Sequence, residues 1–475
     1  MVKIFKTDIC IIGGGAGGLT VAAAASQLGA NTILIEKNKM GGDCLHYGCV
    51  PSKALLASGS IARSVKEAES FGVAVPSSEI IVSSVFDHIK DTIAAIEPND
   101  SEERFEGLGV RILKGIPKFF SRKEVRVGEI EVRAKKFVIA TGSSPSIPSI
   151  PGLNKTKYLT NETIFEVKKI PRHLVILGGG PTGVELAQAY SDLGAAVTII
   201  DCLSIMNRDD PELVGVLRSS LLERGITIFE RVTVKHVESY YNGIRIKIEK
   251  KGVSHDLLGS HLLVCAGRRA NIQSLELEVA GVECSLSGIK VNQNLQTTNR
   301  KIFAIGDVLG DYQFTHVAAY HASIVIKNIL FRLPSKFSTK TLPRVTYTSP
   351  ELAQVGIMER DALLLKKKIR ILRSPYFEND RARTDRKIKG LIKIVCTTRG
   401  KILGAGIVGA SAGELIQVWI LAIQQNLKIG SIASLTLPYP TLGEISKKAA
   451  GSFFAPSLFS DRVRKLVKVL LEFRI

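Results

Sequence analysis

The sequence contains no apolar run approaching the roughly 18–20 residues that a helix needs to cross a bilayer. No cleavable signal peptide precedes the strand-like opening from Met1 to Ile12, so a cytoplasmic protein is expected. Zinc-finger Cys/His spacing, an aromatic-basic stacking platform and the other usual nucleic-acid modules are absent, and nucleic acid is not an expected partner. The seven cysteines are Cys10, Cys44, Cys49, Cys202, Cys265, Cys284 and Cys396, and only Cys44 and Cys49 lie close together. This excludes a structural disulfide framework, while a single close pair in a reducing compartment points to redox chemistry. Acidic residues are scarce: 44 Asp and Glu stand against 64 Lys and Arg, a net charge of +20 at pH 7. The excess favours anionic partners such as nucleotides or acidic lipid headgroups. The basic run Lys366-Lys367-Lys368-Ile369-Arg370 reads as solvated surface.

What is present is a chain of 475 residues, 45% hydrophobic and 23% charged, which excludes a mainly disordered or collagen-like protein. Its length predicts about three domains. The most informative feature is an internal repeat. Cys10 to Glu36 reads CIIGGGAGGLTVAAAASQLGANTILIE, and Val175 to Asp201 reads VILGGGPTGVELAQAYSDLGAAVTIID. Each copy is an apolar strand, a G-x-G-x-x-G turn, an Ala-rich helix, a Leu-Gly-Ala break and a second strand ending in an acid. The glycines are Gly13, Gly15 and Gly18, then Gly178, Gly180 and Gly183; Glu36 or Asp201 follows the first glycine by 23 residues. Glycines permit a tight turn and close backbone approach, the helix N-terminus attracts a pyrophosphate, and the acid accepts hydrogen bonds from ribose hydroxyls. Two copies in that context predict two dinucleotides on an α/β fold with two Rossmann-like domains.

Between the copies lie a helical stretch from Ser52 to Glu97, a polar break at Pro98-Asn99-Asp100-Ser101, and a β-rich run from Val110 to Val138 ending at Ala140-Thr141-Gly142. After the second copy come Val264-Cys265-Ala266-Gly267-Arg268 and an apolar strand running into Gly306-Asp307. From Leu342 onward the pattern changes to strands, helices and the turn Leu437-Pro438-Tyr439-Pro440-Thr441, a third unit. Just beyond Glu36 the chain reads Gly41-Gly42-Asp43-Cys44-Leu45-His46-Tyr47-Gly48-Cys49-Val50-Pro51-Ser52-Lys53. Near a helix start, cysteines at this spacing lie little more than one turn apart, within reach of a disulfide, and a helix N-terminus lowers a thiol pKa. Taken without its flanks, the pair reads equally well as two unrelated thiols.

With its flanks, the G-G-x-C-x4-G-C-V-P-S-K motif between two dinucleotide fingerprints resembles the pyridine nucleotide-disulfide oxidoreductases. This is the flavoenzyme family of dihydrolipoyl dehydrogenase, glutathione reductase and mercuric reductase, and the likeness runs from about Lys6 to Ala450. It implies FAD at Gly13, Gly15, Gly18, Glu36, Gly42, Lys53, Thr141, Gly142 and Asp307, and a nicotinamide nucleotide at Gly178, Gly180, Gly183, Asp201 and Gly267. Cys49 would be the charge-transfer thiolate against the flavin, Cys44 the interchange thiol facing substrate, and Lys53 with Glu185 an ion pair beside the flavin N5 edge. Asp201, followed by Cys202 and not by a phosphate-binding Arg, predicts NADH over NADPH, although Arg208 lies close enough in sequence to compensate.

The same resemblance implies a homodimer in four segments: 1–150 (FAD-binding, first part), 151–272 (nicotinamide nucleotide), 273–341 (return to the flavin region) and 342–475 (C-terminal α+β dimerisation domain). The chain departs from the family pattern in three places. Tyr439 replaces the proton-carrying His of His-Pro-x-x-x-x-Glu, whose acid here is Glu444, and Tyr also stands there in mercuric reductases. A phenol with a pKa of about 10 is a poor base at pH 7. No cysteine follows Cys396, whereas mercuric reductases bring a C-terminal cysteine pair to their soft metal ion. Ala270 replaces the Pro of G-R-x-P-N, and His46 between the cysteines is a substitute base or simply a hydrogen-bonded His.

The expected function is therefore an FAD-dependent NAD(P)H oxidoreductase of mercuric-reductase-like type, passing electrons through a Cys44–Cys49 disulfide to an unidentified small-molecule acceptor. An NADH diaphorase reducing a quinone or metal ion, and a low-turnover flavin redox sensor, are the alternatives. From Ser460, a predicted N-cap, the tail 459–475 carries Val463, Leu466, Val467 and Leu470 at helical spacing among Arg462, Arg464, Lys465, Lys468 and Arg474. This basic amphipathic helix either packs on the protein or its dimer partner, or rests peripherally on the inner face of the membrane.

Overall fold

The computed structural model describes residues 3–364 and 368–473. Lys366 and Lys367 of the basic run, and Arg474 and Ile475 of the tail, lie outside the described residues. Two compact units divide the chain: Met1–Cys202 with Thr227–Ser338, and Leu203–Ile226 with Thr339–Ile475.

The first unit opens with β1 (Lys3–Ile12), α1 (Ala16–Gln27) and β2 (Thr32–Glu36), the strand-turn-helix-strand order predicted for the first glycine motif. The cysteine motif follows on α2 (Gly42–His46) and α3 (Cys49–Glu67). Next come α4 (Val82–Ile96) and α5 (Glu102–Gly107), then β3 (Val110–Lys114), β4 (Lys118–Ser121), β5 (Glu124–Val127) and β6 (Ile130–Ile139). The predicted break at Pro98 is a 3-10 turn, after which the Ser101 hydroxyl caps α5 by accepting from Arg104 N at 3.2 Å. These strands form one sheet in the order β3-β2-β1-β6-β5-β4, parallel from β3 to β6 and antiparallel beyond. The second half of β1, from Ile9 to Ile12, is buried continuously, as expected of a parallel strand covered on both faces.

From β7 (Ser143–Pro145) the chain passes to the second motif, β8 (His173–Leu177), α6 (Pro181–Asp192) and β9 (Ala196–Asp201). The helix α7 (Pro211–Glu223) belongs to the second unit. Then follow β10 (Thr227–Glu230), the antiparallel trio β11 (Thr233–Tyr240), β12 (Gly243–Lys250) and β13 (Val253–Gly259), and β14 (His261–Val264). The order β10-β9-β8-β14 is wholly parallel. Next, β15 (Arg268–Ala270) pairs with β7, and β16 (Ile302–Ala304) returns to pair with β6, ahead of α8 (Thr315–Leu330).

Register determines where the motifs emerge. Ile12 lies level with Ile35 and Ile139, and Ile139 with Ala304, so β1, β2, β6 and β16 end on one edge. The first glycine turn, Glu36, Ala140-Thr141-Gly142 and Gly306-Asp307 all leave the sheet there. In the second sheet, Leu177 is level with Ile200 and Val264, which groups Gly178, Asp201 and Gly267 in the same way. The carboxyl edge of parallel strands is where open α/β sheets bind ligands.

In the second unit α7 packs with an antiparallel sheet of β17 (Pro343–Thr346), β18 (Glu351–Gly356), β19 (Ile369–Pro375), β20 (Leu391–Thr397) and β21 (Ile402–Gly409), ordered β17-β18-β21-β20-β19. Its short helices are α9 (Glu359–Leu364), α10 (Asp380–Thr384), α11 (Ala412–Leu415), α12 (Gln417–Gln424), α13 (Ile429–Ala433) and α14 (Glu444–Gly451). Trp419 anchors this core, its indole N–H donating to Ser446 Oγ at 3.1 Å. Lys393, only 5% exposed, is held by Asp210 and Glu212 at 2.9 Å and Glu359 at 2.6 Å, tying α7 to the sheet. After α15 (Ala455–Leu458) the chain ends in α16 (Asp461–Glu472), where Ser460 Oγ accepts from Val463 N at 3.4 Å, the predicted cap.

Candidate active site

The two glycine turns are built alike. Gly13 (φ +109°) donates to Ile35 O at 2.8 Å, and Gly178 (φ +113°) donates to Ile200 O at 2.8 Å. A Cβ at either would run into the carbonyl of the neighbouring strand end, Ala140 or Cys265, so only glycine fits. Gly18 and Gly183 let their helices pass against the first-glycine carbonyls in the same way. The acids close the turns: Glu36 Oε2 accepts from Gly14 N at 2.5 Å, and Asp201 Oδ2 accepts from Gly179 N at 2.6 Å. Neither α1 nor α6 has a side-chain cap, and no atom lies within 4 Å of a Cβ built on Gly180. The uncapped first-turn amides, open at Gly180 and met at Gly15 only by Gly42 Cα at 3.9 Å from a built Cβ, form the cradle that a pyrophosphate fills, so the residues present fit dinucleotides.

Gly41, with φ +90°, starts α2, and Gly48 starts α3. The two cysteines therefore sit on successive helices, Cys49 as the first residue of α3, where a spacing of little more than one turn near a helix start was expected. They stand as a dithiol. Cys49 is lowered to about 6, first by a hydrogen bond from Cys44 and then by the Thr315 hydroxyl and the Lys53 ammonium, against burial and the Glu185 charge. Cys44, the donor, is pushed up by that bond and by burial. Thr315 Oγ1 lies 3.6 Å from Cys49 Sγ at the first turn of α8. This setting favours the thiolate at Cys49 and the protonated thiol at Cys44.

One turn along α3, Lys53 Nζ meets Glu185 Oε2 at 2.7 Å. The Glu185 side chain is 5% exposed within α6, and Gly59 allows the close crossing, since a Cβ there would lie 3.2 Å from Ala189 O. A carboxylate this deep requires its cation.

Asp307 is pushed up by burial, against the Ser143 hydroxyl donating to its Oδ2 at 2.7 Å and the Arg268 charge. Arg268 also reaches Asp43 Oδ2, next to Cys44, at 3.1 Å. Thr141 Oγ1 donates to Asn271 O at 2.7 Å, and Asn271 Nδ2 donates back to Thr141 O at 3.0 Å, binding the Ala-Thr-Gly turn to the segment after Gly267. The structure thus gathers Cys44, Cys49, Lys53 and Glu185 in one place, and places Gly42, Thr141, Gly142 and Asp307 around the first sheet edge. Sequence reasoning missed Thr315, Ser143, Asn271 and Arg268. Only Arg268 and Asn271, which share a motif with Gly267, carried a local signal.

Comparison with known proteins agrees. Residues 7–322 match the family described as pyridine nucleotide-disulphide oxidoreductase, and residues 342–450 match its dimerisation domain. The chain belongs to the pyridine nucleotide-disulphide oxidoreductase family. It is 34% identical over 449 residues to a mercuric reductase of Lysinibacillus sphaericus, covering 94% of this chain and 82% of that one. With a dihydrolipoyl dehydrogenase of Bacillus subtilis it shares 31% over 461 residues, 93% and 97% of the two chains. The crystal structure of LpdA from Mycobacterium tuberculosis superposes with a TM-score of 0.86 at 25% identity, over 94% of this chain and 99% of that one. As a pyridine nucleotide-disulphide oxidoreductase the chain is an enzyme of an FAD- and pyridine nucleotide-dependent family.

Within this oxidoreductase the C-terminal acid-base position has its own local geometry in the second unit. Tyr439 is 71% exposed, and its hydroxyl donates to Asp380 Oδ2 at 3.1 Å, which with the nearby charge raises its pKa. Glu444 Oε2 accepts from Thr441 N at 3.1 Å, within the turn before α14. Tyr439 and Glu444 are thus engaged separately. His46 Nε2 donates to Met40 O at 2.8 Å, the hydrogen-bonded role that was one of its two readings.

Proposed function

We propose that the chain oxidises NADH, stores the electron pair in Cys44 and Cys49, and hands it to a small acceptor that needs no proton relay, such as a quinone or a metal ion. The carrying observation is the setting of Cys49 at the start of α3, with Thr315 Oγ1 3.6 Å from its sulfur and the Lys53–Glu185 pair one turn along, which favours a thiolate at Cys49 beside the Cys44 thiol. Bound FAD supplies the two-electron coupling between nicotinamide and sulfur. Gly13, Gly15, Gly18, Glu36, Gly42, Thr141, Gly142 and Asp307 would hold it, and Gly178, Gly180, Gly183, Asp201 and Gly267 would hold the nicotinamide nucleotide. Lys53, kept in place by Glu185, sets a fixed positive charge beside Cys49 and stabilises its thiolate.

In each turnover two electrons break the Cys44–Cys49 bond; Cys44 takes up a proton and Cys49 remains a thiolate. Release of the pair to the acceptor re-forms the bond and returns that proton. Asp201 favours NADH because its carboxylate at the strand end repels a 2′-phosphate. The tethering of Tyr439 to Asp380 supports an acceptor that leaves without protonation at sulfur. We further infer a homodimer, from the dimerisation domain, with FAD-binding segments 1–150 and 273–341 flanking a nucleotide segment 151–272. The test is NADH reduction of the FAD-loaded protein without oxygen. A long-wavelength band from the Cys49 thiolate to oxidised flavin is expected in the two-electron-reduced wild type and, without any reduction, in Cys44→Ser, and is lost in Cys49→Ser. A band indifferent to Cys49 refutes the assignment.

A further inference from the structure

The matched dimerisation domain ends at 450, and α16 lies beyond it. At 1.5 Å per residue its 12 residues extend about 18 Å, well short of the about 30 Å hydrocarbon core of a bilayer. No residue of α16 is buried. Leu466 and Leu470 are each 56% exposed and Leu471 64%, so the helix does not pack on the protein's own surface, one of the two placements anticipated for it.

At 100° per residue, Val463, Leu466, Val467, Leu470 and Phe473 fall within one arc of about 120°. Arg462 and Arg464 stand at the margins of the apolar face, with Lys465 and Lys468 on the polar side. These four cations outnumber Asp461 and Glu472 on a chain of net charge +20. Pairing with the α16 of a second copy would cover the leucines but bring two cationic margins together. An anionic surface covers the same face and neutralises the cations, with long Arg side chains reaching headgroup level while the leucines enter the acyl boundary.

We propose that α16 docks the enzyme on anionic lipid bilayers, lying in the plane of the interface. The FAD-loaded, full-length protein co-sediments with phosphatidylglycerol-containing vesicles at low salt, and not with pure phosphatidylcholine vesicles. Each cation removed from Arg464, Lys465 and Lys468 by change to Gln weakens binding by about fivefold. Truncation after Ser457, or Leu466→Asp with Leu470→Asp, abolishes sedimentation while flavin content, NADH oxidation and oligomeric state stay unchanged. Equal sedimentation of truncated and full-length protein overturns the proposal, as does equal binding to neutral vesicles. Dissociation of a dimer by the Leu466→Asp, Leu470→Asp pair would also overturn it, by assigning the face to a second copy of the chain.

Discussion

Thr315 offers the sharpest perturbation of the sulfur pair, because it touches Cys49 from a helix 266 residues away in sequence and carries no charge. Cys49 held at about 6, against 9.0 for an ordinary thiol, is about 90% thiolate at pH 7, where the ordinary thiol is about 1% ionised. The long-wavelength band of the two-electron-reduced, FAD-loaded enzyme should therefore be full at pH 7 and fade with a midpoint near 6 as the thiolate is protonated. Thr315→Val removes a donor to the ionised sulfur and raises the midpoint. The expected rise is about 1 pH unit, the low end for a hydrogen bond to an ion, since the contact is long at 3.6 Å. Cys44→Ala, which deletes the largest stabilising contact, raises it further. The assay is absorbance against pH at matched flavin content, for two-electron-reduced wild type and Thr315→Val and for oxidised Cys44→Ala, whose Cys49 is free without reduction. A wild-type midpoint at 8 or above, or no movement in either variant, would show that these hydrogen bonds do not set the ionisation of Cys49.

Three further predictions follow from the same geometry. Because Asp201 closes the second turn, kcat/KM should favour NADH, and a clear NADPH preference would contradict its role. With Tyr439 bound to Asp380, oxidised glutathione and lipoamide should be turned over poorly compared with quinones, and Tyr439→Phe should leave quinone reduction unchanged; efficient use of either disulfide would point to another proton carrier. Lys393→Met strands the buried Asp210, so urea unfolding should show a loss of about 3–5 kcal/mol, and a change within error would mean the cluster is dispensable. In that cluster Glu212 is held at about 2, chiefly by the hydrogen bond from Arg373. The stability it contributes is present above its unfolded value of 4.5 and is lost as pH falls towards 2.

Much of this site could be read from sequence because its parts are local. Each glycine motif repeats its pattern within one strand-helix-strand unit, and Glu36 and Asp201 close turns that begin 23 residues earlier in that unit. Ser460 was visible as a cap because capping is decided within one turn. The contacts that tune the chemistry were not legible. Thr315 reaches Cys49, and Ser143 reaches Asp307, only because β16 returns to β6 and aligns the strand ends. Periodicity carries no information about such returns. The two-helix placement of Cys44 and Cys49 was likewise hidden, since their spacing does not show that the chain breaks at Tyr47-Gly48 between α2 and α3. The membership of α7 in the second unit follows from its packing on β21 and from Lys393, neither visible in the helix itself.

The proposed function requires that this chain store a second electron pair in Cys44 and Cys49 beside the one a bound flavin holds. Counting electrons tests it most directly, by anaerobic titration of the oxidised, FAD-loaded protein with a chemical reductant to the end point. Four electrons per flavin are expected in the wild type, two in the flavin and two in the disulfide, and two in Cys44→Ser. Uptake of only two electrons by the wild type, with both thiols already free to alkylation in the oxidised enzyme, would contradict it.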